Sequence, residues 1–506
     1  MTRSQKLKLN TITSLAYQFV NLICGFVLPK YILAYYGSDV NGLVSAVAQL
    51  LGLIGLCELG VGAVVQSALY KPLADGDDLQ TSRILVSARK FFDKVGIILT
   101  VYVAVLAAVF PLNQLDKFSY LYTAALVLSM SISYFAQYFF GIRDGLLLNA
   151  DQRSYVQSVF NTATLILNTI VSVIIIRRGA SVQLVKLSTS LIFLIRPICL
   201  AIYVRKRYKV DYKAKYSVEP IAQKWNGLTQ HFASVVLQNT DTVVLTFCST
   251  LKNVSIYNVY NLVVTGLKQI ILSLTSGVQS MFGNMLAKDE KDALSQAFSR
   301  TEWALHTVTV FAFSVAGMLI VPFVKVYTAT LPDADDYIVS VFAALLVAAT
   351  AAYCLRLPYS MMVLAAGHYK QTQTSAIVEM TINIVLSVAL VFAFGLVGVA
   401  IGTLVSMTYR TVYYALYLRK NVINRPIKHF IKHIVVDLIT VAAIVGATFF
   451  FKLRETSYIG WFILALKVGF IALGVTALVN ALFYGRETLG FVKSAFSKTK
   501  KEKSEP

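Results

Sequence analysis

The sequence predicts an all-α, polytopic integral membrane protein with about fourteen transmembrane helices. We expect two parallel six-helix lobes followed by two extra helices. Three observations predict this fold class: the composition, the spacing of the apolar stretches and an internal repeat. Apolar residues make up 57% of the 506 residues and charged residues only 14%, whereas soluble domains are about 25% charged. The mean hydropathy of +0.66 therefore suits a bilayer rather than water.

The apolar stretches recur along the whole chain. Because roughly 20 apolar residues cross a bilayer core, each stretch is long enough to be a transmembrane span. The candidate spans lie near residues 9–36, 40–70, 92–112, 119–148, 155–176, 181–204, 226–249, 254–286, 301–327, 337–365, 371–395, 397–418, 431–451 and 458–484. Several are longer than a bilayer requires, and Pro29, Pro197, Pro322 and Pro358 inside them are expected kink sites.

An internal repeat predicts how the spans are grouped. R-P-I-C-L-A-I-Y-V-R-K at 196–206 recurs as R-T-V-Y-Y-A-L-Y-L-R-K at 410–420, and L-N-T-I-V-S at 167–172 recurs as I-N-I-V-L-S at 382–387. Because each half holds an even number of spans, the two halves are predicted to be parallel repeats. The predicted domains are an N-lobe at 1–207, a cytosolic linker at 208–225, a C-lobe at 226–424, the last two spans at 425–484 and a basic cytosolic tail at 485–506.

The charge distribution predicts the orientation. The chain has 46 Lys and Arg against 25 Asp and Glu, a net charge of +21. Most of the basic residues lie on the side of the N-terminus, and the richest stretches are Arg205–Lys224, Arg419–Lys432 and Lys493–Lys503. This is the positive-inside pattern, which predicts that both termini are cytosolic. Nucleic acid is not an expected partner, because no soluble module is present to organise its binding.

Other chemistry has little support in the sequence. The five cysteines lie in apolar stretches without paired spacing, so neither disulfides nor a metal site is expected. His429 and His433 share one helical face and are expected to face lipid headgroups. There is no G-x-x-x-x-G-K-[ST] motif, which excludes a P-loop motor within this chain. We therefore expect no enzyme activity and no cofactor.

Basic residues inside the spans are the main candidates for a site. A charge at bilayer depth costs roughly 2.5–3.5 kcal/mol, so each one is a functional candidate. Arg196 and Arg410 are equivalent in the repeat, Arg143 and Arg356 nearly so, and Lys30 and Lys268 add further positive charge; this list is our predicted substrate site. A guanidinium fork matches phosphate oxygens, which predicts a cationic cavity between the lobes. Snorkelling to the surface or pairing with carboxylates is the alternative.

Acidic candidates are fewer. Glu58 in C-E-L-G-V-G and Asp241 in Q-N-T-D-T lie inside spans. Either carboxylate is a candidate for binding a coupling ion, H⁺ or Na⁺. Structural pairing with a lysine is the alternative.

One stretch of the chain resembles a known family. G-F-V-L-P-K-Y-I-L-A-Y-Y-G-S-D-V-N-G-L-V-S-A-V-A-Q followed by L-C-E-L-G-V-G-A-V-V-Q-S-A-L-Y-K-P-L-A resembles bacterial Wzx-type polysaccharide flippases of the MOP exporter superfamily. The resemblance implies movement of undecaprenyl-pyrophosphate-linked oligosaccharide across the bacterial cytoplasmic membrane, by alternating access of the lobes, for capsule, exopolysaccharide or O-antigen-type synthesis. It also implies a cavity lined by cations, contact with membrane lipid, and a polysaccharide polymerase and chain-length proteins as partners.

Three alternatives remain. A peptidoglycan lipid-precursor flippase would share the architecture and the headgroup. A drug/cation antiporter of the same superfamily would be expected to carry a carboxylate in span one, where this chain has Lys30 and no acid. A membrane glycosyltransferase or polymerase would need catalytic carboxylates on a sizeable loop, and the loops here are short and basic.

Overall fold

The computed structural model describes residues 3–58, 61–217, 219–221, 228–275, 277–453 and 456–485, and every regular element within these ranges is helical. The first half contains α1 (Arg3–Gly52), α2 (Val61–Asp75), α3 (Asp78–Val109), α4 (Tyr120–Ala136), α5 (Ile142–Ala150), α6 (Ser154–Arg177), α7 (Val182–Phe193), α8 (Ile195–Arg207) and α9 (Leu228–Cys248). The second half contains α10 (Leu251–Leu274), α11 (Val278–Ala287), α12 (Lys291–Tyr327), α13 (Ser340–Leu355), α14 (Leu357–Ala365), α15 (Gln373–Phe394), α16 (Leu396–Asn421), α17 (Lys428–Thr448) and α18 (Tyr458–Phe483).

These helices confirm the predicted fold class. Each of the fourteen predicted spans coincides with one helix or with a helix broken into pieces. Eleven helical segments in the described part of the chain are long and apolar enough to cross a membrane. The predicted tail lies outside the described residues, except for Gly485.

Several spans are broken where the sequence allows it. Gly37 has φ 82° and ψ 177°, which separates α1 into two helices. A π-helical segment, Gln137–Gly141, lies between α4 and α5, and Pro358 stands in the first turn of α14, directly after α13 ends. Pro197 lies in the first turn of α8, where a helix does not need the backbone N–H that proline lacks. Pro29 and Pro322 lie inside α1 and α12.

The turns preserve the internal repeat more clearly than the sequence does. Backbone φ is positive at Gly76 and Asp289, at Gln152 and Gly367, and at Gly179 and Gly395. The members of these pairs are 213, 215 and 216 residues apart, close to the offset of the repeated motifs. A positive φ is rare outside glycine, so three recurrences at spacings of 213 to 216 residues support a duplicated architecture.

The chain divides into two compact units, Met1–Ser255 and Ile256–Pro506. In the first unit α6 packs on α1 and α7 on α4, and in the second α16 packs on both α13 and α15. Helix α9 falls in the first unit, so the division by contacts comes later in the chain than the predicted linker at 208–225. The lobe boundary in that linker stays a prediction.

The last two spans belong to the second unit. Helix α18 packs along α12 through a cluster of Leu319, Leu464 and Val468. The indole N–H of Trp461 donates to the backbone oxygen of Leu319 at 3.2 Å. Within this unit the two helices without a counterpart in the repeat are therefore attached to the bundle by α12.

One partly buried polar corner joins distant segments of the first unit. The carboxylate of Asp151 accepts from Lys6 Nζ at 2.8 Å, from Arg153 Nε at 2.6 Å and from the Tyr208 hydroxyl at 2.6 Å. Burial opposes ionisation of Asp151, but the hydrogen bonds from these donors outweigh it and lower its pKa. The corner connects the start of α1 with the residues just before α6 and the residue just after α8.

Candidate functional site

A polar cavity of about 520 Å³ lies inside the first unit. Its walls come from α4, the π-helical segment, α5, α6, α7 and α8. The lining side chains that can form hydrogen bonds are Ser133, Tyr134, Gln137, Asn149, Gln157, Asn161 and Arg196. Arg196 is the one charged residue among those that the structure places on this wall. The cavity is therefore rich in donors and carries a single positive charge.

Arg196 is held in a fixed orientation. Its Nε donates to Thr164 Oγ1 at 2.6 Å, and its Nη2 lies 3.4 Å from the backbone oxygen of Asn161. The guanidinium carbon lies 4.0 Å from the ring centroid of Phe193, within cation–π range. Among the described residues no carboxylate lies within ion-pair distance of Arg196. Its charge is consequently free to meet an anion in the cavity.

Local helix breaks open this cavity. The π-helical segment Gln137–Gly141 interrupts span four, and π segments are frequent at functional sites. At Gly141 an added Cβ would lie 3.3 Å from Cβ of Pro197, and at Gly145 it would lie 3.4 Å from the amide of Gln157. Gly141 at the end of the π-helical segment therefore allows a close approach to α8, and Gly145 on α5 allows one to α6.

The equivalent arginine in the second unit has a different partner. Glu379 on α15 is fully buried and binds Arg356 Nη1 through Oε1 at 2.6 Å and Arg410 Nη1 through Oε2. Gly402 permits this approach of α16 to α15, because a Cβ there would lie 2.8 Å from the backbone nitrogen of Ser387. A carboxylate thus brings together Arg356 and Arg410, one arginine from each of the two predicted pairs.

Comparison of the two halves explains why Arg196 lacks such a partner. Thr164 precedes Glu379 by 215 residues, the offset of the repeat. Thr164 receives a hydrogen bond from Arg196, just as Glu379 binds Arg410. A neutral hydroxyl therefore occupies in the first unit the position that a carboxylate occupies in the second.

The cluster in the second unit still has an excess of positive charge. The ring centroid of Tyr353 lies 5.2 Å from Lys268 Nζ and 4.6 Å from the guanidinium carbon of Arg356. Lys268 therefore shares the Tyr353 ring with Arg356, which in turn shares Glu379 with Arg410. Arg196 belongs to the first unit and these three cations to the second, so a single site that joins them stays a prediction.

Of the six predicted basic residues, Arg196 is the one on the described wall of the cavity, and Arg143 and Lys30 lie elsewhere in the first unit. Arg143 pairs through Nε with Oδ1 of its neighbour Asp144 at 2.8 Å and lies 4.7 Å from the ring centroid of Tyr212. Asp144 is almost fully buried, so Arg143 follows the carboxylate-pairing alternative. Lys30 is partly buried in α1 beside Pro29.

The two predicted ion-coupling residues stay predictions. Asp241 is buried in α9. Glu58 ends the 3₁₀ segment Leu53–Glu58, and its side chain lies outside the described residues.

Sequence reasoning missed a buried polar network in the second unit. It contains Glu302, His306, Tyr359, Arg425, His433 and Asp437. The expectation that His433 faces lipid headgroups is wrong, because it is buried with Nδ1 2.7 Å from the Tyr484 hydroxyl; His429 is exposed. The available signal was spacing: Glu302 and His306 are four apart on one helix, and so are His433 and Asp437 on another.

Neither a protein-family profile nor a curated protein matches the sequence. Solved structures do. The chain superposes on "Lipid II flippase MurJ, inward closed conformation" with a TM-score of 0.68 and 16% identity, covering 94% of this chain and 99% of that one. It superposes on an inward-facing multidrug resistance MATE family transporter of the MOP superfamily with a TM-score of 0.63 and 13% identity, over 82% and 100%. For the bent form of the Vibrio cholerae MATE transporter VcmN the values are 0.56 and 14%, over 82% and 97%.

The helices, their hydropathy and these likenesses define a multi-pass membrane protein. More particularly, its fold is the one shared by MurJ and the MATE transporters of the MOP superfamily. At such low identity the likeness concerns the fold.

Proposed function

We propose that this protein is a flippase for an undecaprenyl-pyrophosphate-linked oligosaccharide, which it moves from the inner to the outer leaflet without covalent chemistry. The product would serve capsule, exopolysaccharide or O-antigen-type synthesis. The observation that carries the proposal is the uncompensated Arg196 in a polar cavity of a transporter fold.

The substrate chemistry matches this cavity. A pyrophosphate cannot cross hydrocarbon unaided, because burying an isolated charge costs many kcal/mol. Arg196 offers guanidinium donors for phosphate oxygens, and its contacts with Thr164 and Phe193 fix their direction. The amides and hydroxyls of the wall suit the hydroxyl groups of a glycan. The polyprenyl tail would stay in lipid, alongside α17 and α18.

The second unit is assigned a later contact with the substrate. There a pyrophosphate must compete with Glu379 for Arg356 and Arg410. Arg196 has no such competitor among the described residues, so it takes the first contact. Lys268 would add attraction, because it lies near the Arg356 guanidinium over the same Tyr353 ring.

The proposed setting is the bacterial cytoplasmic membrane, with both termini in the cytosol. Net transport would draw on an H⁺ or Na⁺ gradient. Partners would be the membrane lipids, the polysaccharide polymerase and the chain-length proteins.

A lipid II flippase is the second candidate. It is favoured by the likeness to MurJ, which covers 94% of this chain, and its substrate would use the same pyrophosphate contact. A drug/cation antiporter is favoured less. The cavity carries the positive charge of Arg196, which would repel a cationic drug.

Depletion of the protein in its host, followed by chemical identification of the accumulating lipid, tests the proposal. We expect an undecaprenyl-pyrophosphate-linked oligosaccharide to accumulate in the inner leaflet. Accumulation of lipid II would instead support the second candidate, and accumulation of neither lipid would refute both.

Complementation of the depleted cells then tests the site. Arg196→Ala should fail to clear the accumulated lipid, and Arg196→Lys should clear part of it, since lysine keeps the charge and loses the fork. The exposed Arg178 provides the control, and Arg178→Ala should act as wild type. Normal clearance by Arg196→Ala at matched expression would remove Arg196 from the site.

A further inference from the structure

A chain of buried hydrogen bonds connects three helices of the second unit. It begins at Asp437 on α17, passes through His306 on α12 and Tyr359 on α14, and ends at Glu302 on α12. Glu302, His306 and Tyr359 are at most 2% exposed, and Asp437 is 9% exposed. The structure gives this chain no place in substrate binding.

The three contacts are all of hydrogen-bond length. His306 Nδ1 lies 2.6 Å from Asp437 Oδ2, and His306 Nε2 lies 3.1 Å from the Tyr359 hydroxyl oxygen. The Tyr359 hydroxyl lies 2.7 Å from Glu302 Oε1. Each contact needs one hydrogen between its two heavy atoms, so the chain requires three protons in total.

A neutral His306 and Tyr359 between two ionised carboxylates cannot supply that number. A neutral histidine has one N–H and tyrosine one O–H, whereas the two carboxylates at the ends have none when ionised. If Tyr359 donates to Glu302, then His306 must donate to Tyr359, which leaves a lone pair of Nδ1 facing Asp437. If Tyr359 donates to His306 instead, its oxygen lone pairs face Glu302. Either arrangement lacks one proton.

The neighbouring arm of the network has no such deficit. The Tyr484 hydroxyl lies 2.7 Å from His433 Nδ1, and His433 Nε2 lies 3.4 Å from Glu302 Oε2. A neutral His433 and Tyr484 supply one proton to each of these two contacts. The deficit is therefore confined to the chain from Asp437 to Glu302.

The charges around the chain also indicate that one proton is missing. The titratable or charged groups facing it are Glu302 (α12), Tyr359 (α14), Arg419 (α16), Arg425 (before α17), Lys432, His433 and Asp437 (α17) and Tyr484 (after α18). Within the hydrogen-bonded part of this set, the two carboxylates of Glu302 and Asp437 face one permanent cation, Arg425, so the net charge is −1. One added proton makes this interior neutral. A second is disfavoured, because the rings of His306 and His433 are only 4.8 Å apart.

Protons can reach one end of the chain. A cavity of about 10 Å³ touches Glu302 and Tyr359 and is also lined by Arg419 and Arg425. This is about the space that one water molecule needs. A proton delivered to the Tyr359–Glu302 contact can pass along the hydrogen bonds to His306 and Asp437.

We propose that the chain from Asp437 to Glu302 is a binding site for one exchangeable proton, shared by His306 and Asp437. The proton comes from water and returns to water. Because the site joins α12 and α14 to α17, the hydrogen bond between His306 and Asp437 that links α12 to α17 is complete when the proton is bound. The proposal does not depend on which lipid is transported.

Infrared difference spectra between acidic and alkaline pH, recorded on the purified full-length protein, test it. Wild type should show a titrating carboxyl or imidazolium band. Asp437→Asn should lose the band, because its amide N–H can donate to His306 Nδ1 and complete the chain. Tyr359→Phe should lose it as well, since His306 is then free to donate its single proton to Asp437.

Tyr484→Phe is the matched control, because it removes a hydroxyl from the neighbouring arm, which runs through His433 to Glu302, and leaves the number of protons in the chain from Asp437 to Glu302 unchanged. It should keep the band. The band should also be the same in NaCl and in choline chloride. A band that persists in Asp437→Asn and Tyr359→Phe, that is absent from wild type, or that Na⁺ displaces would overturn the proposal. These spectra need no transport, so a wrong substrate would not affect their outcome.

Discussion

Thr164→Glu is the most direct test of why Arg196 should bind the substrate. The change places a carboxylate where the repeat has Glu379 in the second unit. Thr164 Oγ1 already lies 2.6 Å from Arg196 Nε, so a longer acidic side chain at this position can reach the guanidinium. We expect Arg196 to become paired, as Arg410 is with Glu379.

The size of the effect follows from the bond that is lost. A hydrogen bond to a charged group contributes about 1.5–3 kcal/mol. If the new carboxylate removes one such bond between Arg196 and a phosphate oxygen, affinity should fall roughly 10- to 150-fold, because about 1.4 kcal/mol corresponds to a factor of ten. Repulsion between the carboxylate and the pyrophosphate acts in the same direction.

The assay is equilibrium binding of undecaprenyl pyrophosphate to purified protein in detergent, at two ionic strengths. Thr164→Gln is the control, because glutamine has nearly the size of glutamate and no charge. Thr164→Glu should bind much more weakly than Thr164→Gln. Equal affinities of the two variants would show that Arg196 does not meet the headgroup, and the reasoning from the repeat would fail.

Three further predictions concern stability and topology. Glu379→Gln should lower the free energy of unfolding by about 3–5 kcal/mol, because it leaves the guanidinium groups of Arg356 and Arg410 without their counter-charge. Thermal unfolding in detergent measures this effect, and an unchanged melting temperature would contradict it. Asp151→Asn should be less stable than wild type at neutral pH. The difference in stability between the two proteins should disappear below about pH 4, because the lowered pKa of Asp151 means that its stabilising contribution is lost as the carboxylate is protonated. A difference that does not change with pH would contradict this. In a cysteine-free protein, a cysteine at Ser217 should be labelled only from the cytosol and one at Thr456 only from outside, and the reverse pattern would overturn the predicted orientation.

The sequence was sufficient to predict the fold class because a bilayer imposes a simple rule on composition. Spans show as apolar stretches, and all fourteen stretches correspond to helices. The breaks were less predictable. Pro358 marks one of them, whereas the π-helical segment Gln137–Gly141 contains no proline that would reveal it in the sequence.

The predicted site was harder to assign because charge alone does not reveal pairing. Arg196 and Arg410 look equivalent in the repeated motif, yet one donates to Thr164 and the other binds Glu379. The difference lies 32 and 31 residues earlier in the chain, on another helix. His306 was missed for a similar reason, since its partners Asp437 and Tyr359 come from two other helices.

The recurring turns have a practical consequence for handling the protein. In two of the three pairs one half of the chain has glycine and the other has a residue that is strained at positive φ: Asp289 opposite Gly76, and Gln152 opposite Gly367. Left-handed backbone costs an L-residue roughly 1–2 kcal/mol. The glycine in one half therefore indicates which residue should relieve the backbone strain at the equivalent position in the other half. The two substitutions are Asp289→Gly and Gln152→Gly. Both turns lie away from Arg196, Glu379 and His306 along the chain, so a more robust protein can be obtained for biochemical work without altering the groups proposed to act.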